Sequence, residues 1–305
     1  MNSGGSRQGS LFLHKGGLSP GDVYKIAETG YNSYDPARGG VYRCMDRGAS
    51  GRMIPFRERL NISTMAEDAP ELAGEYGLGL EIAEFCTAYN MDLNFPDTDA
   101  KARSAMERAP GRVFHAPFAE LCPAAIDPLV REVTRKRYLR AIGLARSYGI
   151  RKIVIHAGFI PQVYWPEWFV PQSVEFWKNL LPEIGPDMLL CLENVMEPDA
   201  DMLVSIVEET GDPRLRLCLD TGHAASRPCP VPIEEWIDKE APYLAHLHIH
   251  NNDGTRDQHA SLGNGILNMR ELIDRVEKLC PEATYSLENL TAADSVAWLR
   301  ENRYI

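Results

Sequence analysis

MLLCLENVMEPDADMLVSIVEETGDPRLRLCLDTG, residues 188–222, reads as strand, helix, strand. Two short apolar runs, MLLCLENV (188–195) and LRLCLDTG (215–222), flank a helical stretch over Ala200–Glu209. The runs are apolar at nearly every position, as in strands of a parallel sheet covered on both faces. Each ends in a carboxylate, Glu193 in one and Asp220 in the other.

The same unit recurs on both sides of this stretch. Upstream lie LNISTM (60–65), LGLEIAEF (78–85), RVFHAP (112–117) and KIVIHAG (152–158); downstream lie LAHLHIHN (244–251) and TYSLENL (284–290). The intervening segments carry helix signals. Asp127 is an N-cap followed by Pro128 at the first helical position, and Gly149 closes that helix. Further helices are expected over Ala66–Glu75, Ser173–Leu181, Ile233–Lys239, Met269–Leu279 and Ala292–Asn302. Eight strands alternating with helices over residues 60–305 match the roughly 250 residues of one (β/α)8 barrel. An open doubly wound sheet would carry a glycine-rich phosphate turn after its first strand, and none follows LNISTM.

Residues 1–55 differ. Gly4, Gly5, Gly16, Gly17, Gly21, Gly39, Gly40, Gly48 and Gly51 crowd a segment with few apolar runs, read as a poorly structured extension to a single domain over 56–305. With 44% hydrophobic and 25% charged residues, the chain has the usage of an ordinary globular protein. No run approaches the roughly 20 apolar residues of a membrane span, so no membrane partner is expected and a cytoplasmic location is. The net charge of −11 disfavours non-specific nucleic-acid binding without excluding it, since bound cations would cancel part of it. Seven scattered cysteines form no CxxC pair, which argues against a disulfide framework or a zinc–cysteine module.

The placement of the polar residues carries the chemistry. Strands three to six end in His115, His156, Glu193 and Asp220; strand seven contains His248 and strand eight ends in Glu288. In a barrel those ends converge on one mouth, where active sites sit. Carboxylates buried together are costly unless a cation pairs them, so a divalent metal is expected. His223, three residues after Asp220, turns to the same side, and Asp257 and His259 share an alternate spacing after strand seven. The set is therefore His115, His156, Glu193, Asp220, His223, His248, Asp257, His259 and Glu288, with His14, His246 and His250 left outside it.

These motifs, HAP, IHAG, LEN, LDTGHA, HLHIHNNDGTRDQH and SLEN, resemble those of the xylose-isomerase-like barrels. That superfamily includes sugar-phosphate isomerases and epimerases, ketose 3-epimerases and endonuclease IV. The resemblance covers about residues 60–305. For the epimerase branch it implies one ion held by Glu193, Asp220, His248 and Glu288, the two glutamates also serving as acid and base. For endonuclease IV it implies three zinc ions and all nine residues. Two departures separate the chain from the nuclease: the interval from His248 to Asp257 is shorter, and the first strand lacks a glycine-rich opening.

The expected activity is accordingly a metal-dependent isomerase or epimerase acting on a small sugar or sugar phosphate. One to three ions of manganese, zinc, cobalt, iron or magnesium would polarise a carbonyl while Glu193 or Glu288 takes a carbon-bound proton. His223, Arg256, Asn194 and Asn289 are the candidate substrate contacts. A multinuclear phosphodiesterase and a metal-dependent lyase or dehydratase are the alternatives. Tyr164, Trp165, Trp168 and Phe169 offer either an apolar pocket wall or a contact between copies of a homo-oligomer.

Overall fold

A computed structural model of the chain describes residues 54–226 and 231–305. The expected extension over 1–55 lies outside the described residues apart from its last two positions, as do His14, Cys44 and Cys229.

In chain order the elements are α1 (Phe56–Arg59), β1 (Leu60–Ser63), α2 (Ala69–Tyr76), β2 (Gly79–Ile82), α3 (Ala88–Met91), α4 (Phe95–Arg108), β3 (Gly111–His115), α5 (Pro128–Ser147) and β4 (Lys152–His156). There follow α6 (Pro166–Leu180), a short 3-10 turn, β5 (Leu189–Glu193), α7 (Asp201–Thr210), β6 (Leu215–Asp220), α8 (Thr221–Ala225), α9 (Ile233–Glu240), β7 (Leu244–Ile249), α10 (Met269–Leu279), β8 (Thr284–Leu287) and α11 (Ala293–Glu301). All eight strands are parallel, and β1 pairs with both β2 and β8, so the sheet closes into a (β/α)8 barrel.

Local chemistry explains the boundaries. Asp127 Oδ1 accepts a hydrogen bond from Leu129 N at 2.8 Å, capping α5 with Pro128 in its first turn. Beyond that helix Gly149 takes φ 78°, a conformation glycine adopts without steric cost. Two helical features depart from the sequence reading. Helix α6 begins at Pro166 instead of Ser173, with Pro166 in its first turn, where the missing N–H costs least, and Pro171 inside it, where one i→i−4 bond is forgone. Helix α4 buries only Thr98, Ala102 and Ala105, a stripe of small residues with no apolar periodicity to reveal it.

The apolar packing has two parts. A large shell, with Phe85, Phe114, Trp177, Trp236 and Tyr285 among its members, fills the space between sheet and helices. A smaller cluster of Val113, Val154, Cys191 and Cys218 fills the barrel interior, with Leu189 and Ala245 against it. Side chains alternate between the two faces of a strand. The residues two positions further along the same strands, His115, His156, Glu193 and Asp220, therefore form the next interior layer towards the carboxyl ends.

Candidate metal centre

Ladder register brings that layer together. Asp220 pairs with His248 and His156 with Glu193, side by side at the mouth. Donor atoms of Glu193, Asp220, His248 and Glu288 all lie within 4.8 Å of one another, and all four residues are buried. His248 Nδ1 faces Glu193 Oε1 at 3.0 Å, Glu288 Oε1 at 3.6 Å and Asp220 Oδ2 at 3.7 Å.

A second group adjoins the first. Glu193 Oε2 is buried and accepts no hydrogen bond, yet His156 Nε2 and His115 Nε2 stand 3.3 and 3.4 Å from it. A buried carboxylate oxygen ringed by imidazole nitrogens without a hydrogen bond fits a cation that has three donors waiting. Phe118 stacks on His156 with ring centroids 4.3 Å apart, closing this side with an apolar face.

A third group gathers around Asp257, with the His223 ring 6.2 Å from that of His156. His259 Nε2 is 2.8 Å and His223 Nε2 3.4 Å from Asp257 Oδ2. Each ring is held from behind: His223 Nδ1 lies 2.9 Å from Asn194 O, and His259 Nδ1 lies 2.8 Å from Glu288 O. With Nδ1 donating to a carbonyl, each Nε2 faces Asp257: protonated it donates to the carboxylate, and deprotonated it would offer its lone pair to a cation between them. The shorter interval from His248 to Asp257 thus delivers Asp257 and His259 to the mouth. The loop is secured by Asn251–Ala260 backbone pairing and by Asn289, whose amide donates to His259 O and Ala260 O. Gly265 is needed for room, since a Cβ there would meet Asn251 Oδ1 at 2.2 Å.

Electrostatics match this crowding. Burial pushes the Glu193 carboxyl up, but His248 and His156 outweigh it and hold it well below the usual range. Asp220 is driven to about 2 by His223 and His250 despite its burial. His223 and His259 are disfavoured as cations by burial; neighbouring carboxylates, chiefly Asp220 and Asp257, nonetheless raise them to about 10 and about 9. His156, largely desolvated, falls to about 3. Burial and the nearby carboxylates raise Glu288.

All nine residues of the expected set therefore share one mouth. Of the expected substrate contacts, Arg256 is exposed and, among the described residues, makes no ion pair or hydrogen bond. Asn194 is buried with both ends of its amide on the backbone of Asp220, at 2.7 and 3.0 Å. The aromatic cluster divides: Phe169 is buried against Tyr164, Trp168 Nε1 donates to Ala124 O, and Trp165 stands exposed.

Three residues of the layer were not anticipated. His246 and His250 share the inward face with His248, a repeat legible as H-x-H-x-H, and His250 Nε2 lies 3.1 Å from both Asp220 oxygens. Glu81 is a fully buried carboxylate within the apolar run LGLEIAEF; it lies 3.0 Å from His248 Nε2 and 3.1 Å from His246 Nε2. The clue was an acid on the inward alternation of β2.

The fold and the donor layer define a barrel with a candidate metal centre at its carboxyl-terminal mouth. The chain belongs to the xylose isomerase-like TIM barrel family, whose model matches residues 77–302. An uncharacterised protein of Methanocaldococcus jannaschii is 26% identical over 194 residues, covering 60% of this chain and 66% of the relative, so the chain spans just under two thirds of that relative's length. A probable endonuclease 4 of Mycobacterium leprae is 23% identical over 200 residues, 61% of this chain and 77% of the relative. A solved structure described as a D-tagatose 3-epimerase-like protein superposes with a TM-score of 0.67 at 22% identity, covering 81% of this chain and 96% of its own.

Proposed function

We propose that the chain is a multinuclear divalent-metal hydrolase acting on a phosphoester, with a small organic substrate in preference to a nucleic-acid duplex. One observation carries this reading: beside the four-residue set, His223 and His259 both face Asp257, and His250, His259 and Glu288 offer donor atoms within 4.8 Å of one another, despite the short interval from His248. A single ion needs only the central four residues. His115, His156 and the Asp257 group are surplus to it, and adjacent cations suit phosphoryl transfer. The relative named as a probable endonuclease 4 points the same way.

Glu193, Asp220, His248 and Glu288 would hold a central ion; His115 and His156 with Glu193 a second; and Asp257, His223 and His259 a third. Bound cations would supply an ionised water at neutral pH and neutralise charge gathering on the phosphoryl group. The protein's part is placement. Glu193 joins two groups, the Asn194 and Glu288 carbonyls fix the His223 and His259 rings, and Phe118 shields the His156 side. Past the ends of β1 and β2, a cavity of about 430 Å³ is lined by Thr64, Met65, Glu84, Asn90 and Lys101 among others, and by none of the nine donors. The net charge of −11 opposes a long polyanion and so favours a small substrate.

The test is elemental metal analysis with turnover of bis(p-nitrophenyl) phosphate. Two or more ions per chain, with turnover abolished by chelation and restored by zinc or manganese, are expected. One ion and no hydrolysis would overturn the reading.

A second reading rests on the central set alone: an isomerase or epimerase in which Glu193 and Glu288 exchange a carbon-bound proton beside one ion. Incorporation of solvent deuterium into a ketose by a one-ion enzyme would favour it.

A further inference from the structure

We propose that Glu81 is a positioning residue that fixes which nitrogen of His248 is offered to the metal centre. The inference rests on the metal-centre reading and concerns a residue outside the nine donors.

Donor and acceptor accounting along one buried chain leads to it. Lys152 Nζ can only donate, and it lies 2.9 Å from Ala245 O and 2.6 Å from Thr284 Oγ1. Thr284 Oγ1 therefore accepts from Lys152, and of the two acceptors within reach of its own proton, Ala245 O at 3.4 Å and His246 Nδ1 at 2.6 Å, it takes the nearer, His246 Nδ1. That leaves the His246 proton on Nε2, which it shares between Glu81 Oε2 at 3.1 Å and Ser286 Oγ at 3.0 Å. Ser286 Oγ donates to Glu81 Oε2 at 2.5 Å. Glu81 Oε1 remains, facing His248 Nε2 at 3.0 Å.

A carboxylate that already receives two donors is an acceptor for the third, so His248 carries a proton on Nε2. Its Nδ1 then turns to Glu193, Asp220 and Glu288, the three carboxylates of the central set. Removing the Nδ1 proton is what ligation requires, and Glu81 ensures that the proton lost is that one. Carboxylate, imidazole and cation would stand in line, with the carboxylate raising the basicity of the ligand. Glu81, His246, His248 and Ser286 are all fully buried, so water does not compete for these bonds.

The experiment measures zinc affinity of the full-length wild type, Glu81→Ala, Glu81→Gln and Ser286→Ala, with circular dichroism to verify folding. It also records imidazole nitrogen shifts of the zinc-loaded wild type. Glu81→Ala should weaken the central zinc by about 10- to 100-fold. Glu81→Gln, with one oxygen for two imidazoles, should fall between it and wild type. Ser286→Ala removes one donor to Glu81 and one contact of His246 but leaves Glu81 Oε1 on His248, and should lose less zinc affinity than Glu81→Ala does. The loaded wild type should show His248 protonated at Nε2. A proton on Nδ1, a folded Glu81→Ala with unchanged affinity, or a Ser286→Ala loss equal to that of Glu81→Ala would overturn the positioning role alone. A wild type that takes up no zinc would overturn the metal centre and this role together.

Discussion

The donor groups flanking the central set are built in opposite ways. His115 and His156 stand on β3 and β4, held by the sheet, and both reach Glu193 Oε2. Asp257 and His259 stand on the loop after β7, held by backbone pairing, by Asn289 and by the closeness that Gly265 permits. The strand group inherits its geometry from the barrel; the loop group has to be anchored residue by residue. That difference says where the site should be robust and where it should yield.

Glu193 is common to the strand group and the central set, so its loss should have the largest effect. Glu193→Ala is expected to retain at most one ion per chain by elemental analysis and to lose about three orders of magnitude in phosphodiester turnover, equivalent to about 4 kcal/mol. Full activity in that variant would break the shared-carboxylate reading.

Asp257→Ala tests the loop group directly. It should cost one ion and about 100-fold in turnover, close to 3 kcal/mol, while the strand group keeps its metal. Unchanged hydrolysis would make the loop group idle and put the isomerase reading first. His156→Ala, the matching change on the strand side, is expected to cost about tenfold, because His115 and Glu193 remain in place; a loss exceeding that of Asp257→Ala would reverse the ranking.

Asn289→Ala removes the brace and no donor. Zinc affinity of the loop group alone should fall about three- to tenfold, the worth of one net hydrogen bond. Competitive titration with a zinc chelator would read it.

The smallest effect is on stability. His223 and His259 are raised to about 10 and about 9 in the metal-free protein. A histidine raised on folding stabilises fully below its unfolded value of about 6.5, and that contribution disappears as pH rises through the folded value. The melting temperature of the metal-free protein should therefore decline between about pH 7 and 10. Zinc-loaded protein, whose ligands are already deprotonated, should decline less over that window. Parallel curves would mean that the loop group takes no ion.

Much of this was legible in the sequence. Eight apolar runs at regular spacing announced the barrel, because strands buried on both faces must be apolar nearly throughout. His115, His156, Glu193 and Asp220 could be assigned to the mouth because each closes such a run. Helix α4 escaped notice because small residues, not an apolar stripe, face its neighbours. Glu81 escaped because a single acid inside an apolar run carries no sign of its partners across the barrel, and His246 and His250 because only His248 matched a motif.

The sequence by itself determined the class of fold and which polar residues close the strands at the mouth, since both depend on residue type at strand positions with a fixed period of two. Whether the loop after β7 reaches the mouth, and so whether Asp257 and His259 stand beside the strand-end residues, only the tertiary structure decided. A loop's reach depends on where both its anchors lie in space, and Asn251, Ala260 and Asn289 are brought together only when β7 and β8 pair. The tautomer assigned to His248 has the same origin: Glu81 meets it from β2, across the interior, at a sequence separation of 167 residues.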